Sequence, residues 1–488
     1  MKFNQYTWNL YKQSPEGQKA IKEFEDAARN ISMYDLILKY NRSEAEFTNK
    51  NNIEECCETL WVYGFEGIIK PTNLQEAEKA YETLIDAGVH YGQEDPFIDK
   101  GDYKTMLAAN LDLSFLFYFK APEYFIPNLF RYRFFDLNKI ADTFEINLPP
   151  TPKKPDYKAR CMTYWYLCET LYNFRTENGL SPAELCAFLY DFAPNFIFKE
   201  KTDIPQPTQA WFIGGKIEDY ERALSTTFWQ ANPETKKGDI LIHYETSPIS
   251  AITCIWIAQT DGVIDPFFHY YSNTYIGNKI DIPHITLKEL QTNEYFSKHP
   301  LIRKKFQGVN GWPMSSEDYS QLLRMIAAKG FDIDNLPKLY APTLPANISI
   351  ALERDVETKL LEPLLNSMEW FEDKDFIRQL PIHAGRGHRV FPDYALHYDN
   401  KPDYEKARVL LEAKLLMRNN QDIEEAFKQA RSYANILESS AIVLCDKTCL
   451  IVYEKADSFD RDKYTKYYWT DFENPDRFNE LKNRLRDK

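Results

Sequence analysis

No run of about eighteen apolar residues occurs anywhere in this chain, so the sequence offers no membrane-spanning helix. The opening residues Met1-Lys2-Phe3-Asn4-Gln5-Tyr6 lack the apolar stretch of a secretory signal, and a cytoplasmic location with no membrane partner is expected. None of the eight cysteines forms a Cys-x-x-Cys pair, and no histidine lies near them at zinc-site spacing. They are expected to be reduced and mostly buried. Cys445 and Cys449 flank Asp446-Lys447-Thr448, which reads as strand, turn, strand rather than a metal knuckle. A Gly-x4-Gly-Lys-Ser/Thr loop is missing, which excludes a nucleotide-driven motor. There is no repeat of fixed period and no long low-complexity tract. Positive charge is scarce: 59 Lys and Arg against 73 Asp and Glu give a formal net charge of −14, which excludes a basic-coated surface. An acidic total still permits a polyanionic partner, because phosphates respond to local potential.

Aromatic residues, by contrast, are plentiful. The 32 Tyr, 32 Phe and 9 Trp supply core volume and also flat faces on which bases stack. A chain of 488 residues exceeds a single core and is expected to form two to four domains, at roughly 100–200 residues each. Residues 1–203 read as helical, with apolar residues at helical spacing over Glu16 to Asn30, Leu74 to Ala87 and Arg160 to Arg175. After the turn Asn178-Gly179, Ser181, Pro182 and Glu184 form an N-cap, a first-turn proline and a capping box for the next helix. Helix, glycine turn, helix over 160–195 fits either a DNA-reading helix-turn-helix or an ordinary helical hairpin.

From 208 to 330 the texture changes to short strands. Trp211 to Gly215, Gly238 to Tyr244 and Ile249 to Ala258 are the clearest; Asp281 to His284 reads as a strand exit, and Ser315-Ser316-Glu317 opens a helix. Three basic clusters interrupt the acidic background: Lys153-Lys154 with Lys158 and Arg160, Lys298 with Arg303-Lys304-Lys305, and Arg386 with Arg389. Each fits a solvated loop or a phosphate contact.

The densest chemistry lies between Phe391 and Tyr433. Pro392-Asp393 enters one apolar strand, and Val409-Leu410-Leu411-Glu412-Ala413-Lys414-Leu415-Leu416 forms the next. Strand side chains alternate faces, so Glu412 and Lys414 point one way while Leu411, Ala413 and Leu415 point the other. An acid and a lysine in an apolar strand are costly unless they bind something. A divalent metal carrying a phosphate suits them, because two carboxylates can hold Mg²⁺ with positions left for water and phosphate. Lys414 supplies a compact positive charge for the transition state. A solvated strand face is the plain alternative for a lone Glu-x-Lys.

Pro-Asp, spacer, Glu-x-Lys in this order resembles the PD-(D/E)xK nuclease superfamily, and most closely the nuclease part of type I restriction motor subunits. Those carry a Gly-Arg-rich approach, matched by Gly385-Arg386-Gly387-His388-Arg389, and a later Gln-x-x-x-Tyr helix, matched by Gln429 and Tyr433. The resemblance implies catalytic roles for Asp393, Glu412, Lys414, Gln429 and Tyr433, and Mg²⁺ held by Asp393 and Glu412 with Glu357 of the preceding helix in support. Arg386 and Arg389 become the expected DNA-backbone contacts.

The strand-rich stretch resembles an EVE-like domain of the PUA/YTH group, a small β-barrel that accepts a flipped modified base. That resemblance covers about a quarter of the chain and implies aromatic pocket walls, expected at Trp229, Phe268 and Tyr270. Trp211 and Trp256 fit the barrel core better. The expected fold is therefore α+β and multidomain: helical 1–203, an EVE/PUA-like small β-barrel at 208–330, and an α/β PD-(D/E)xK nuclease core at 345–488. Reader plus nuclease resembles modification-dependent (type IV-like) restriction endonucleases, which implies double-stranded DNA with modified bases, modified cytosine above all, as partner and a homodimer as the working form. A restriction enzyme reading unmodified sequence, or a non-catalytic nucleic-acid-binding module, are the alternatives.

Overall fold

The computed structural model describes residues 3–27, 33–40, 70–94, 102–130, 133–197, 204–216, 226–268, 271–343, 348–383, 389–402 and 404–486. The architecture is mixed α and β. The chain packs as two compact units, one of Met1–Pro205, Ala210–Met314 and Gln321–Leu336, the other of Gln206–Gln209, Ser315–Ser320 and Pro337–Lys488.

In the first unit the apolar periodicity of the N-terminal third becomes a helical bundle, including Pro15–Ala27, Leu74–Glu94 and Tyr157–Glu177. Aromatic side chains fill it: Trp8, Phe24, Tyr81, Phe117, Tyr164 and Trp165 retain almost no exposed surface. The Ser181 capping box forms, with the Glu184 amide donating to Ser181 Oγ at 3.2 Å and the Ser181 amide to Glu184 Oε2 at 2.8 Å. The helix it opens is core: no residue from Pro182 to Pro194 is exposed. A recognition helix needs a free face to lay in a groove, so this segment is a buried hairpin.

The strands β1 (Ala210–Gly215), β2 (Thr226–Gln230), β3 (Ile240–Glu245), β4 (Ala251–Ala258), β5 (Val263–Ile264), β6 (Ser272–Thr286) and β7 (Trp312–Met314) form one sheet. Its order is β2-β6-β4-β3-β1-β7, with β5 beside β6. Asp281 to His284 lies inside the long strand β6 rather than at its exit, because Pro283 falls where β6 needs no ladder donor from it. The sheet curls until its edges meet: Asn310 Nδ2 donates to Gln230 Oε1 at 3.1 Å and Asn232 Nδ2 to the Gly311 carbonyl at 3.1 Å.

Helices and curled sheet share a core, to which Val263 and Phe267 contribute. Arg160 fastens the join. Fully buried, it donates to the carbonyls of Pro266 (2.9 Å), Phe268 (2.6 Å) and Lys154 (3.0 Å), and stacks between Tyr157 and Tyr271. The expected boundary near residue 203 is thus not a packing boundary, and the three modules expected from sequence lie in two compact units.

The second unit is built on β8 (Phe376–Arg378), β11 (Tyr394–Asp399), β12 (Lys406–Ala413), β13 (Ala441–Cys445), β14 (Cys449–Glu454) and β15 (Thr465–Tyr468), in the order β15-β14-β13-β12-β11-β8. A separate ribbon pairs β9 (Ile382–His383) with β10 (Arg389–Val390). β11 and β12 are antiparallel; β12 and β13 are parallel, joined through the helix Asn420–Ile436. Both faces are buried, which is why β12 and β13 read as continuous apolar runs. Odd positions Val409, Leu411 and Ala413 meet the helices of 353–367 and Pro475–Leu485; Leu410 and Ile442 meet Phe427, Ala430 and Ala434 of the crossover helix. The six described cysteines are buried and outside any disulfide; Cys56 and Cys57 lie outside the described residues.

Candidate active site

Strand pairing brings the acids together. Tyr394 pairs with Leu411, so Asp393, one residue earlier, lies at the β12 end that carries Glu412. Its Oδ2 accepts the Ala413 amide at 2.8 Å, a bond that fixes the carboxylate against β12. The strand expected to run through Leu416 ends at Ala413, so Lys414 lies just past it rather than within it; its own amide still bonds the Cys445 carbonyl at 2.8 Å, continuing the β13 pairing. The loop that follows is clasped by Asp446, whose Oδ2 accepts the Met417 amide at 2.7 Å while Oδ1 accepts Thr448 and Cys449 amides. The turn Asp446-Lys447-Thr448 therefore buttresses the segment carrying the lysine.

Glu412 is 1% exposed, and its Oε1 has no hydrogen-bond partner. Burial first, and the negative charge of Asp393 second, push its carboxyl up to about 8, against the opposing pull of Lys414. Lys414 Nζ stands 3.7 Å from Glu412 Oε2 and 3.8 Å from Glu353 Oε1. Glu357 is half-buried, and its carboxyl is raised by burial and then by Asp393, with Arg354 opposing. It begins a π-helical turn, Glu357–Leu361, a distortion that recurs at functional sites.

One amine faces several acids, two of which resist ionisation. Such a set lacks positive charge, and an oxygen with no partner in an apolar wall is the kind of ligand a hard cation completes. Among the described residues no group of three or more His, Cys, Asp or Glu side chains is placed to hold a metal ion. A Mg²⁺ centre does not need one, because water and phosphate supply the remaining oxygens. Asp393 and Glu412 are the pair that fits the inner ligand role; the expected support from Glu357 is seen only as its charge coupling to Asp393.

The remaining expected residues divide. Gln429 and Tyr433 lie on the crossover helix, Gln429 Nε2 donating to Tyr433 Oη at 3.4 Å, with the tyrosine half-buried on the core and the glutamine exposed. Arg389 is exposed on β10 and donates to His383 Nε2 at 3.1 Å. Arg386 and Tyr270 lie outside the described residues. Phe268 is not a pocket wall: it is 1% exposed and meets Phe228 edge-on at 5.5 Å. Phe228 and Trp229 are neighbours on β2 and face opposite sides, so Phe268 packs behind the sheet from Trp229.

Trp229 is half-buried beside Trp211, Trp256 and Ile213, and its ring meets His243 edge-on at 5.2 Å. His243 is fully buried; burial, then the positive charge of Lys279, pushes its pKa down to about 3, so the imidazole is neutral. Glu245, 6% exposed, leaves Oε1 without a hydrogen-bond partner, and its charge acts on Lys279.

Sequence reasoning missed Glu353, His243 and Glu245. For the latter two a signal existed: ionisable residues two apart in the apolar strand Ile240–Glu245, the spacing that exposed Glu412 and Lys414. Glu353 carried none, since its partner Lys414 lies 61 positions along the chain. Comparison of the chain with models of protein families, with curated proteins and with solved structures found no match to any of them.

Proposed function

We propose that this protein is a Mg²⁺-dependent endodeoxyribonuclease of the PD-(D/E)xK type, guided to its target by an EVE-like reader of a flipped modified base. The observation that carries the nuclease reading is the meeting of Asp393, Glu412 and Lys414 at one strand end, with a buried glutamate oxygen left unmet. The flanking order, helix 353–367, β11, β12, crossover helix, β13, β14, fits the same reading.

Asp393 and Glu412 would hold Mg²⁺, which when bound neutralises phosphate charge and acidifies a water. Lys414, held between Glu412 and Glu353, offsets charge building on the phosphate oxygens and orients the attacking water. Gln429 and Tyr433 approach the backbone from the crossover helix, and Arg389 binds phosphate from its ribbon. For the reader, support comes from a curled sheet holding a half-buried tryptophan near a neutral histidine and a buried acid. A flipped base requires a stacking face and polar groups for its edge. Modified cytosine in duplex DNA is the proposed target, and restriction of phage DNA the proposed role.

The test is incubation with Mg²⁺ and duplexes of one sequence that are plain, methylated or hydroxymethylated at cytosine. Cleavage confined to a modified duplex, and abolished by Glu412→Ala, is expected. Equal cutting of all three would leave the nuclease but remove the reader.

A further inference from the structure

The three basic clusters of the sequence have different fates. Arg160 is buried as a structural clamp, and Lys158 pairs with Glu82 and Asp86, both at 3.2 Å. Arg386 lies outside the described residues. Lys298, Arg303, Lys304 and Lys305 remain: all four are exposed, and among the described residues none has a carboxylate within ion-pair distance. No acidic residue occurs between Glu294 and Glu317, in a chain with 73 of them. The cluster brackets the short helix Pro300–Arg303, whose start is capped by His299 Nδ1 accepting the Leu301 amide at 3.2 Å, and Lys304 lies over the Trp312 ring at 5.8 Å. An open cleft of about 600 Å³ adjoins Lys298, lined also by Tyr295, Gln321 and Glu294.

Position gives the cluster its meaning. The same loop continues to Asn310, whose side chain bonds Gln230, the neighbour of Trp229 on β2. We infer that Lys298, Arg303, Lys304 and Lys305 are the track on which the phosphate backbone of duplex DNA lies beside the Trp229 end of the curled sheet. This rests on the proposed reader, and it adds the element that gives general affinity. Backbone cations position a duplex without reading its sequence. A base cannot reach a pocket unless the strand on either side is held.

The test uses the full chain with Glu412→Ala, so that binding is measured without cleavage, by fluorescence anisotropy on plain and modified duplexes across a salt series. Adding Lys298→Ala, Arg303→Ala, Lys304→Ala and Lys305→Ala should weaken both duplexes alike, at least about tenfold near 0.1 M salt. The slope of log affinity against log salt should shrink by up to about 3.6, since each of the four lost phosphate contacts removes about 0.9. Replacing the four with Gln instead, and checking the melting temperature, guards against a misfolded variant. An unchanged slope with wild-type-like binding overturns the track and leaves the proposed function standing. Loss of binding to duplex RNA or to an acidic peptide with duplex DNA unaffected also overturns it. If the Glu412→Ala protein binds no duplex at all, the proposed function itself falls.

Discussion

Glu412 combines nearly complete burial, an oxygen without a partner and a carboxyl pushed up to about 8. Its folded pKa lies above the unfolded carboxylate value, so the folded state holds a proton the unfolded state has lost. That contribution to stability is full below about pH 4.5 and disappears as pH rises through about 8. Metal-free protein should therefore melt at falling temperature between pH 5.5 and 8.5, and Glu412→Gln should flatten that part of the profile. Mg²⁺ requires the ionised carboxylate, so titration of the wild type near pH 7 should release close to one proton per chain, measurable by calorimetry in buffers of different ionisation heat. No proton release would mean that Glu412 is not a ligand. Glu353 acts on Lys414 from its far side. Glu353→Gln should lower turnover roughly 10- to 100-fold, the usual range for a partner that orients a catalytic group, with KM for DNA little changed. A rise in KM alone would place Glu353 in DNA binding instead.

At the scale of elements, local chemistry was legible where it was self-contained. The capping box at Ser181, the turn at Asp446 and the continuous apolar runs of β12 and β13 each state their own geometry in adjacent residues. Asp393 and Glu412 were legible because strand period and the Pro-Asp order determine which end of which strand they share. What the sequence hid depends on distant partners. Phe268 looks like an exposed wall among aromatics, and only its contact with Phe228, whose side chain leaves β2 on the face opposite Trp229, shows that it packs away from Trp229. The join between helices and curled sheet was hidden for the same reason, because Arg160 reads as one member of a basic cluster. Two buried carbonyls and a third, part-buried one depend on its guanidinium. Arg160→Ala leaves them without a donor and empties a space between two tyrosine rings, so it should cost at least about 2 kcal/mol by urea unfolding. Arg160→Lys should recover only part of that, since an ammonium cannot reach three divergent carbonyls in one plane. Full stability in Arg160→Ala would mean that the join rests on Phe267 and Val263 alone.

For the whole molecule, the quantity that decides the proposed function is the number of cutting centres. Each chain carries one set of Asp393, Glu412 and Lys414, and under the proposed function one such centre would cut one strand at a time. A double-strand break then requires two chains, paired in solution or meeting on the duplex. Mixing wild type and Glu412→Ala in equal amounts, at constant total protein, separates this from a single chain cutting both strands in turn. Random pairing gives doubly active, mixed and inactive pairs in the ratio 1:2:1, so linearisation of a supercoiled plasmid carrying the modified base should fall to about a quarter of the all-wild-type rate. Nicking should fall only to about half, because every mixed pair still cuts one strand, and nicked circles should accumulate. Linearisation at half the wild-type rate, with no excess of nicked product, would show that each chain makes both cuts alone.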